Sequence, residues 1–133
     1  MKNRHVPTIL IVDDERNLRR LLQVTLEHQK YKLYEATNGL DAISLAVEHK
    51  PDVILLDVMM PGGIDGVEVC KRIKSTPMLA NSYVILLTAL GQERDREAGL
   101  WAKADAYITK PFSPIHLLSM IDGYLSKQVE EKP

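Results

Sequence analysis

With 133 residues, 45% of them hydrophobic, the chain has the usual length of one domain and enough apolar residues to bury a core. Its formal charge of −1, spread over intermixed acids and bases, gives no basic footprint, so we expect no direct binding of nucleic acid. The single cysteine, Cys70, excludes a disulfide framework and a thiolate metal cluster, and it indicates a reducing, cytoplasmic location. No apolar stretch is long enough to span a membrane.

The first third of the chain alternates strand and helix patterns. The apolar run from Thr8 to Val12 is typical of a buried strand, and it ends on acids. A one-faced helical repeat from about Arg16 to His28 follows, and then an alternating stretch from Lys32 to Ala36 that suits an edge strand. Asn38 is the predicted N-cap of a second helix, whose apolar positions are Ala42, Ile43, Ala46 and Val47.

The central element is predicted at Val53-Ile54-Leu55-Leu56-Asp57, where four large apolar residues end on an acid. Such a run is typical of a parallel strand that is buried on both faces. A breaker-rich loop follows it, so the acid lies at the carboxyl end of the strand. Open α/β sheets bind their ligands in the crevice at that end. Asp57 is therefore the first candidate for chemistry.

The last part of the chain continues the alternation. The pattern of Val67, Cys70 and Ile73 predicts a third helix, and the run from Tyr83 to Leu87 predicts a strand that ends on Thr88. A polar segment from Gln92 to about Trp101 is interpreted as a fourth helix.

A fifth strand is predicted over residues 106–109, just before Lys110-Pro111. The fifth helix begins at Ser113, as N-cap, and Pro114, with an inner stripe of Leu118, Ile121 and Leu125. Residues 127–133 have no pattern and are interpreted as a charged tail or the start of a linker.

Five alternations of strand and helix predict a single α/β domain, a parallel sheet covered by helices on both faces. In such a sheet all the strands have their carboxyl ends at one edge. Polar residues follow four of the predicted strands and should converge there on one pocket: Asp13 and Asp14, Asp57, Thr88, and Lys110.

The motifs in these positions resemble the receiver domain of two-component response regulators. They are Val12-Asp13-Asp14-Glu15, Leu55 to Pro61, Asp65-Gly66, Leu87-Thr88-Ala89 and Tyr107 to Phe112. The resemblance covers residues 7–126 and implies a flavodoxin-like (βα)5 three-layer domain with strand order 2-1-3-4-5.

The resemblance also implies a chemistry. Asp57 would accept a phosphoryl group from the phosphohistidine of a sensor histidine kinase or a histidine phosphotransfer protein. Asp14, Asp57 and the Met59 carbonyl would bind Mg²⁺ directly and Asp13 would bind it through water. Clustered carboxylates repel one another without a cation, and oxygen ligands suit this hard ion. Lys110 would neutralise charge on the phosphoryl oxygens.

In the family, phosphorylation is followed by a switch. Thr88 would move to bond the phosphoryl group, and Tyr107 would turn inward into the space released. The face formed by the fourth helix, fifth strand and fifth helix would change and bind a downstream effector domain or protein. The family also implies a cis peptide at Lys110-Pro111.

The sequence departs from the family pattern at several points. The loop from Pro61 to Gly66 is one residue longer than usual. Lys103 stands before the fifth strand where the family commonly has a glycine, and a turn with a positive φ is therefore in doubt at this position. The fifth helix lacks the basic pair of regulators that dimerise through charged contacts. We therefore do not predict that charged dimer. Trp101 and Leu90 offer the same face an apolar contact instead, through which a homodimer could form on activation; the alternative is that Trp101 is half-buried core.

Met59 and Leu90 occupy positions that flank the path of the hydrolytic water in the family. Both side chains are apolar and cannot orient a water by hydrogen bonding, so we expect slow self-dephosphorylation. The chain would then catalyse its own phosphorylation without being a conventional turnover enzyme.

Three other classes of protein are alternatives to this interpretation. An aspartyl-phosphate phosphatase places its nucleophile after the first strand in an Asp-x-Asp pattern, whereas Asp13 and Asp14 are adjacent. A flavin-binding module needs a hydroxyl-rich phosphate loop where this chain has acids. A pseudo-receiver scaffold, never phosphorylated, is the principal alternative, although such proteins usually lack the acid pair or the lysine.

Overall fold

The structure, a computed structural model, describes residues 6–27, 29–60, 63–89, 97 and 102–131. The strands are β1 (Thr8–Val12), β2 (Lys32–Ala36), β3 (Val53–Asp57), β4 (Tyr83–Ala89) and β5 (Ala106–Lys110). The helices are α1 (Arg16–Glu27), α2 (Gly39–His49), α3 (Gly66–Lys74) and the C-terminal helix (Pro114–Glu131). Of the predicted helix over residues 92–101 only residue 97 is described, and Leu90 and Trp101 also lie outside the described residues.

All five strands are parallel and lie in the order β2-β1-β3-β4-β5, which confirms the predicted fold class. The alternating segment β2 is an edge strand, as its pattern indicates, and the continuous apolar run β3 is buried along its whole length at the centre. Asp57 at the end of β3 pairs with Leu87 of β4, and Ala89 pairs with Lys110 of β5. The polar strand ends therefore lie along one edge of the sheet.

Two apolar clusters lie on opposite faces of the sheet. Because side chains alternate along a strand, Leu10 and Val12 of β1 point to one face and Ile9 and Ile11 to the other. The first face packs against α2 and α3, and the second packs against α1 and the C-terminal helix. Burial on both faces explains why β1, β3 and β4 are continuous apolar runs.

Side-chain caps fix where the helices begin. The Asn38 side chain accepts a hydrogen bond from the Asp41 N–H at 2.9 Å, and Ser113 Oγ accepts one from the His116 N–H at 3.3 Å, as predicted. Asp65 caps α3 in the same way, accepting from the Glu68 N–H at 2.9 Å. These caps set the ends of the loops that follow β2, β3 and β5.

The C-terminal helix differs from the prediction in two respects. It continues to Glu131, so residues 127–131 are helical and not a patternless tail. Lysine, glutamine and glutamate are good helix formers, and no proline or glycine interrupts these residues. Among the side chains of this helix that the structure describes, those of Leu117 and Ile121 are fully buried, whereas Leu118 and Leu125 only flank the core.

The turn before β5 keeps a positive φ in spite of its lysine. Lys103 has a φ of 65°, the left-handed conformation that a glycine adopts at lower cost. The positive-φ turn, which the absence of a glycine had put in doubt, is therefore present, and the lysine side chain is exposed.

Cys70 is fully buried on α3, as expected for a small hydrophobe. Burial raises the pKa of its thiol to about 11, and Sγ lies 3.5 Å from the carbonyl oxygen of Ala102. The thiol is therefore protonated and belongs to the core.

Candidate functional site

The loop after β1 directs two adjacent acids differently. Asp13 is fully buried and Asp14 is exposed. The Asp13 N–H donates to the carbonyl oxygen of Ala36 at 3.2 Å, and its Oδ1 accepts from the Glu15 N–H at 2.8 Å. The backbone thus fixes the buried carboxylate where β1 ends and α1 begins.

Asp57 lies at the carboxyl end of β3 and is only 5% exposed. Its Oδ1 accepts a hydrogen bond from the Met59 N–H at 3.3 Å. Further along the loop, the Gly66 N–H donates to the carbonyl oxygen of Val58 at 2.9 Å, which brings the start of α3 back against the strand. The acid is therefore held between the strand and the helix that follows.

Lys110, at the end of β5, bridges the two buried acids. Its Nζ lies 3.1 Å from Oδ2 of Asp13 and 3.2 Å from Oδ1 of Asp57. The Lys110–Pro111 peptide bond is cis, the geometry that the resemblance implies. Residues 97 positions apart in the chain thus meet across the sheet edge.

The electrostatics of the site reflect this crowding. The pKa of Asp57 rises to about 6, because burial and, to a smaller extent, the charge of Asp13 raise it, while Lys110 and the Met59 N–H offset part of the increase. Burial alone would lower the pKa of Lys110, but the hydrogen bond to Asp13 and the charges of both acids raise it above the usual lysine value. One lysine does not fully compensate the carboxylates.

The acids fit a divalent cation. Carboxylate oxygens of Asp13, Asp14 and Asp57 all lie within 4.8 Å of one another. The set offers only oxygen donors, two of them from buried residues, which suits a hard ion such as Mg²⁺. A cation here would supply the positive charge that Lys110 alone does not.

Of the other predicted residues, Thr88 lies near this edge of the sheet, whereas Tyr107 lies near the start of β5. Thr88, 6% exposed, follows the residue that pairs with Asp57 and itself pairs with Thr109. Because β4 extends to Ala89, Thr88 lies within the strand and not just beyond it. Tyr107 pairs with Leu86, packs against the core, and has a buried hydroxyl oxygen.

Of two residues that contact the site backbone, Arg19 was not predicted from the sequence, whereas Gly66 belongs to the predicted Asp65-Gly66 motif. Arg19 of α1 donates to the carbonyl oxygen of Asp13, and Gly66 lies against that of Asp57. Arg19 precedes the buried Leu22 by three positions, and this spacing predicts that it lies on the inner face of the helix. The sequence does not predict which groups it contacts there.

The parallel sheet, the acid cluster and the bridging lysine define the class of response regulator receiver domains. Residues 9–131 match the family model described as "Response regulator receiver domain", and the chain belongs to this family.

Known relatives agree with this assignment. The transcriptional regulatory protein ResD of Bacillus subtilis is 46% identical over 122 residues, which cover 90% of this chain and 48% of that protein. The chain thus spans about half the length of the curated relatives it matches.

Two solved structures are also similar. The receiver domain of a signal transduction histidine kinase from Syntrophus aciditrophicus is 35% identical, with a TM-score of 0.87 over 96% of both chains. The BeF3-activated receiver domain of DrrB, a Thermotoga maritima OmpR/PhoB homologue, is 34% identical, with a TM-score of 0.80 over 92% of this chain and 99% of that one.

Within the described residues, no helix is both long and apolar enough to cross a membrane.

Proposed function

We propose that the chain is a phosphorylation-activated switch in which Asp57 accepts a phosphoryl group from a phosphohistidine. The donor would be a sensor histidine kinase or a histidine phosphotransfer protein. One observation carries the proposal: Asp57 lies at the end of a buried strand, within 3.2 Å of Lys110 and beside two further acids. Membership of the receiver family supports the same function.

The proposed metal ligands are Asp14, Asp57 and the Met59 carbonyl, with Asp13 acting through water. Bound Mg²⁺ would supply positive charge to the carboxylates and to the oxygens of the transferring group. The short carboxylate separations and the buried position of Asp13 support this ligand set.

In the transfer itself, an oxygen of the Asp57 carboxylate forms a bond to phosphorus while the bond between phosphorus and the histidine nitrogen breaks. With a pKa of about 6, the carboxyl group is mostly ionised at neutral pH and is able to attack. Lys110 is held by Asp13 at the same edge, so its ammonium can pair with the phosphoryl oxygens. Phosphoryl transfer otherwise depends mainly on such positioning.

The proposed response uses Thr88 and Tyr107. A phosphoryl group on Asp57 adds acceptor oxygens at the edge where the buried Thr88 hydroxyl can donate. A shift of Thr88 would change the packing around Tyr107, whose ring already packs against the core. The altered face, which includes β5 and the C-terminal helix, would bind an effector domain or protein.

Two comparisons bear on this response. The similar receiver domain of DrrB is known in a BeF3-activated form, which supports the proposal that this chain is activated as well. Because ResD is a transcriptional regulatory protein, a transcriptional output is the first to test.

The pseudo-receiver alternative is not supported, since the acid pair, Asp57 and Lys110 are all present.

The test is the intact mass after incubation with acetyl phosphate, with and without Mg²⁺. We expect one phosphoryl adduct that requires Mg²⁺ and is absent from Asp57→Asn. Asp122→Asn, which removes an exposed acid from the C-terminal helix, is the matched control and should be phosphorylated normally. Folded wild-type protein that acquires no adduct would reject the proposal.

A further inference from the structure

Arg19 of α1 connects the site loop to the edge strand. Its Nη1 donates to the carbonyl oxygen of Asp13 at 2.9 Å, and its Nε donates to Oε1 of Glu35 on β2 at 2.9 Å. The amide nitrogen of Gln23, one turn further along α1, donates to the other oxygen of Glu35. The arginine side chain is only 17% exposed, so these contacts are largely shielded from water.

We propose that Arg19 is a positioning residue that holds the Asp13–Asp14 peptide in the orientation required for binding a divalent cation. This inference rests on the proposed function, because it assumes that the acid cluster binds the ion that assists phosphorylation. Arg19 itself contacts the Asp13 carbonyl and Glu35, so it would act on the ion only through the two acids.

The geometry of the loop explains the effect. The carbonyl that Arg19 holds belongs to the peptide that joins the two acids, so its orientation sets the directions of both side chains. Asp13 has further restraints, through its N–H and its Oδ1. Asp14 is exposed, and the bond from Arg19 to the preceding carbonyl restrains the peptide plane from which it projects.

The chemistry of the side chain suits this role. A guanidinium presents several N–H groups in a rigid plane and can serve two acceptors at once, whereas an ammonium is a point charge without that fixed geometry. Glu35 balances the charge of Arg19, which limits repulsion of a nearby cation. Gln23 in turn orients Glu35, so three side chains from α1 and β2 act together.

The experiment measures Mg²⁺ affinity by calorimetry and amide hydrogen exchange at Glu15 in metal-free buffer. Arg19→Ala and Arg19→Lys should weaken Mg²⁺ binding about 10-fold, as is typical when a residue supporting metal ligands is lost. Exchange at the Glu15 N–H, which bonds to Asp13, should accelerate. Arg20→Ala removes an exposed arginine of the same helix and should change neither quantity.

Glu35→Gln tests the same unit without removing the arginine, and it should weaken Mg²⁺ binding less than Arg19→Ala does. Variants that lose thermal stability but keep the wild-type Mg²⁺ affinity and Glu15 exchange would overturn the proposal, as would a wild type that binds no Mg²⁺. Neither readout uses a phosphoryl donor. A wild type that binds Mg²⁺ but is never phosphorylated would therefore reject the proposed function. The Mg²⁺ affinity and Glu15 exchange of the variants would still test the role of Arg19.

Discussion

Gly66 packs directly against the carbonyl oxygen of Asp57. A β-carbon at position 66 would lie 2.1 Å from that oxygen and 2.8 Å from the Cα of Val58. Both atoms belong to the backbone and cannot rotate away. The start of α3 can therefore approach the end of β3 this closely only because residue 66 has no side chain.

Gly66→Ala should destabilise the protein by about 1–3 kcal/mol, because the clash forces the backbone to shift. The shift would move Asp57, so the rate of phosphorylation by acetyl phosphate should fall as well. Urea denaturation and intact mass measure the two effects. The control is Gly123→Ala in the C-terminal helix, where a β-carbon meets nothing within 4 Å. That change should stabilise by roughly 0.5–1 kcal/mol, and a Gly66→Ala protein as stable as the wild type would contradict the expected clash.

The stability of the metal-free protein should depend on the titration of Asp57. Its pKa rises from 3.8 to about 6 on folding, so the native state binds the proton more tightly than the unfolded state. Stability is therefore lost as the pH rises from about 4 to 6, and the full penalty remains above that range. Two pKa units correspond to roughly 3 kcal/mol.

Asp57→Asn, which cannot ionise, should show this as a difference from the wild type. In buffer with a chelator, the variant should be more stable at pH 7.5 and should lose that advantage as the pH falls to about 4, as measured by denaturation at each pH. Mg²⁺ should narrow the gap at pH 7.5 by stabilising the ionised wild type. An advantage that stays constant across the pH range would contradict the titration.

Lys103 adopts a left-handed conformation at an exposed turn, with a φ of 65°. Lys103→Gly should raise the free energy of unfolding by roughly 0.5–1 kcal/mol, since relief of the strain outweighs the greater entropy of unfolded glycine. Lys103→Ala is the control, because it removes the long side chain but keeps the β-carbon. Equal stability of the two variants would show that the backbone conformation carries no cost.

The lifetime of the phosphorylated state should depend on Met59 and Leu90. The Met59 side chain is 65% exposed next to Asp57, where a polar group could orient water, whereas Leu90 lies outside the described residues. The double substitution Met59→Asn with Leu90→Glu should speed loss of the phosphoryl group several-fold, as followed by the decay of the adduct mass. An unchanged or slower decay would count against a role for apolar side chains in slowing hydrolysis.

Local pattern was sufficient for most of the fold. The apolar runs of β1, β3 and β4 predicted their burial on both faces, and the alternation of β2 predicted an edge. The pattern was less informative for the C-terminal helix. There Leu117 and not Leu118 is fully buried, because the packing of the helix against the sheet, which the sequence does not show, decides which of two adjacent apolar residues faces the core.

By itself the sequence determined that polar residues follow four predicted strands, and the parallel topology then implied one site. Only the tertiary structure decided that Lys110 reaches both Asp13 and Asp57, that Arg19 holds the Asp13 carbonyl, and that Gly66 must lack a side chain. The physical reason is that periodicity reports which side of a helix or strand is buried. Distances between residues far apart in the chain depend instead on how those elements pack.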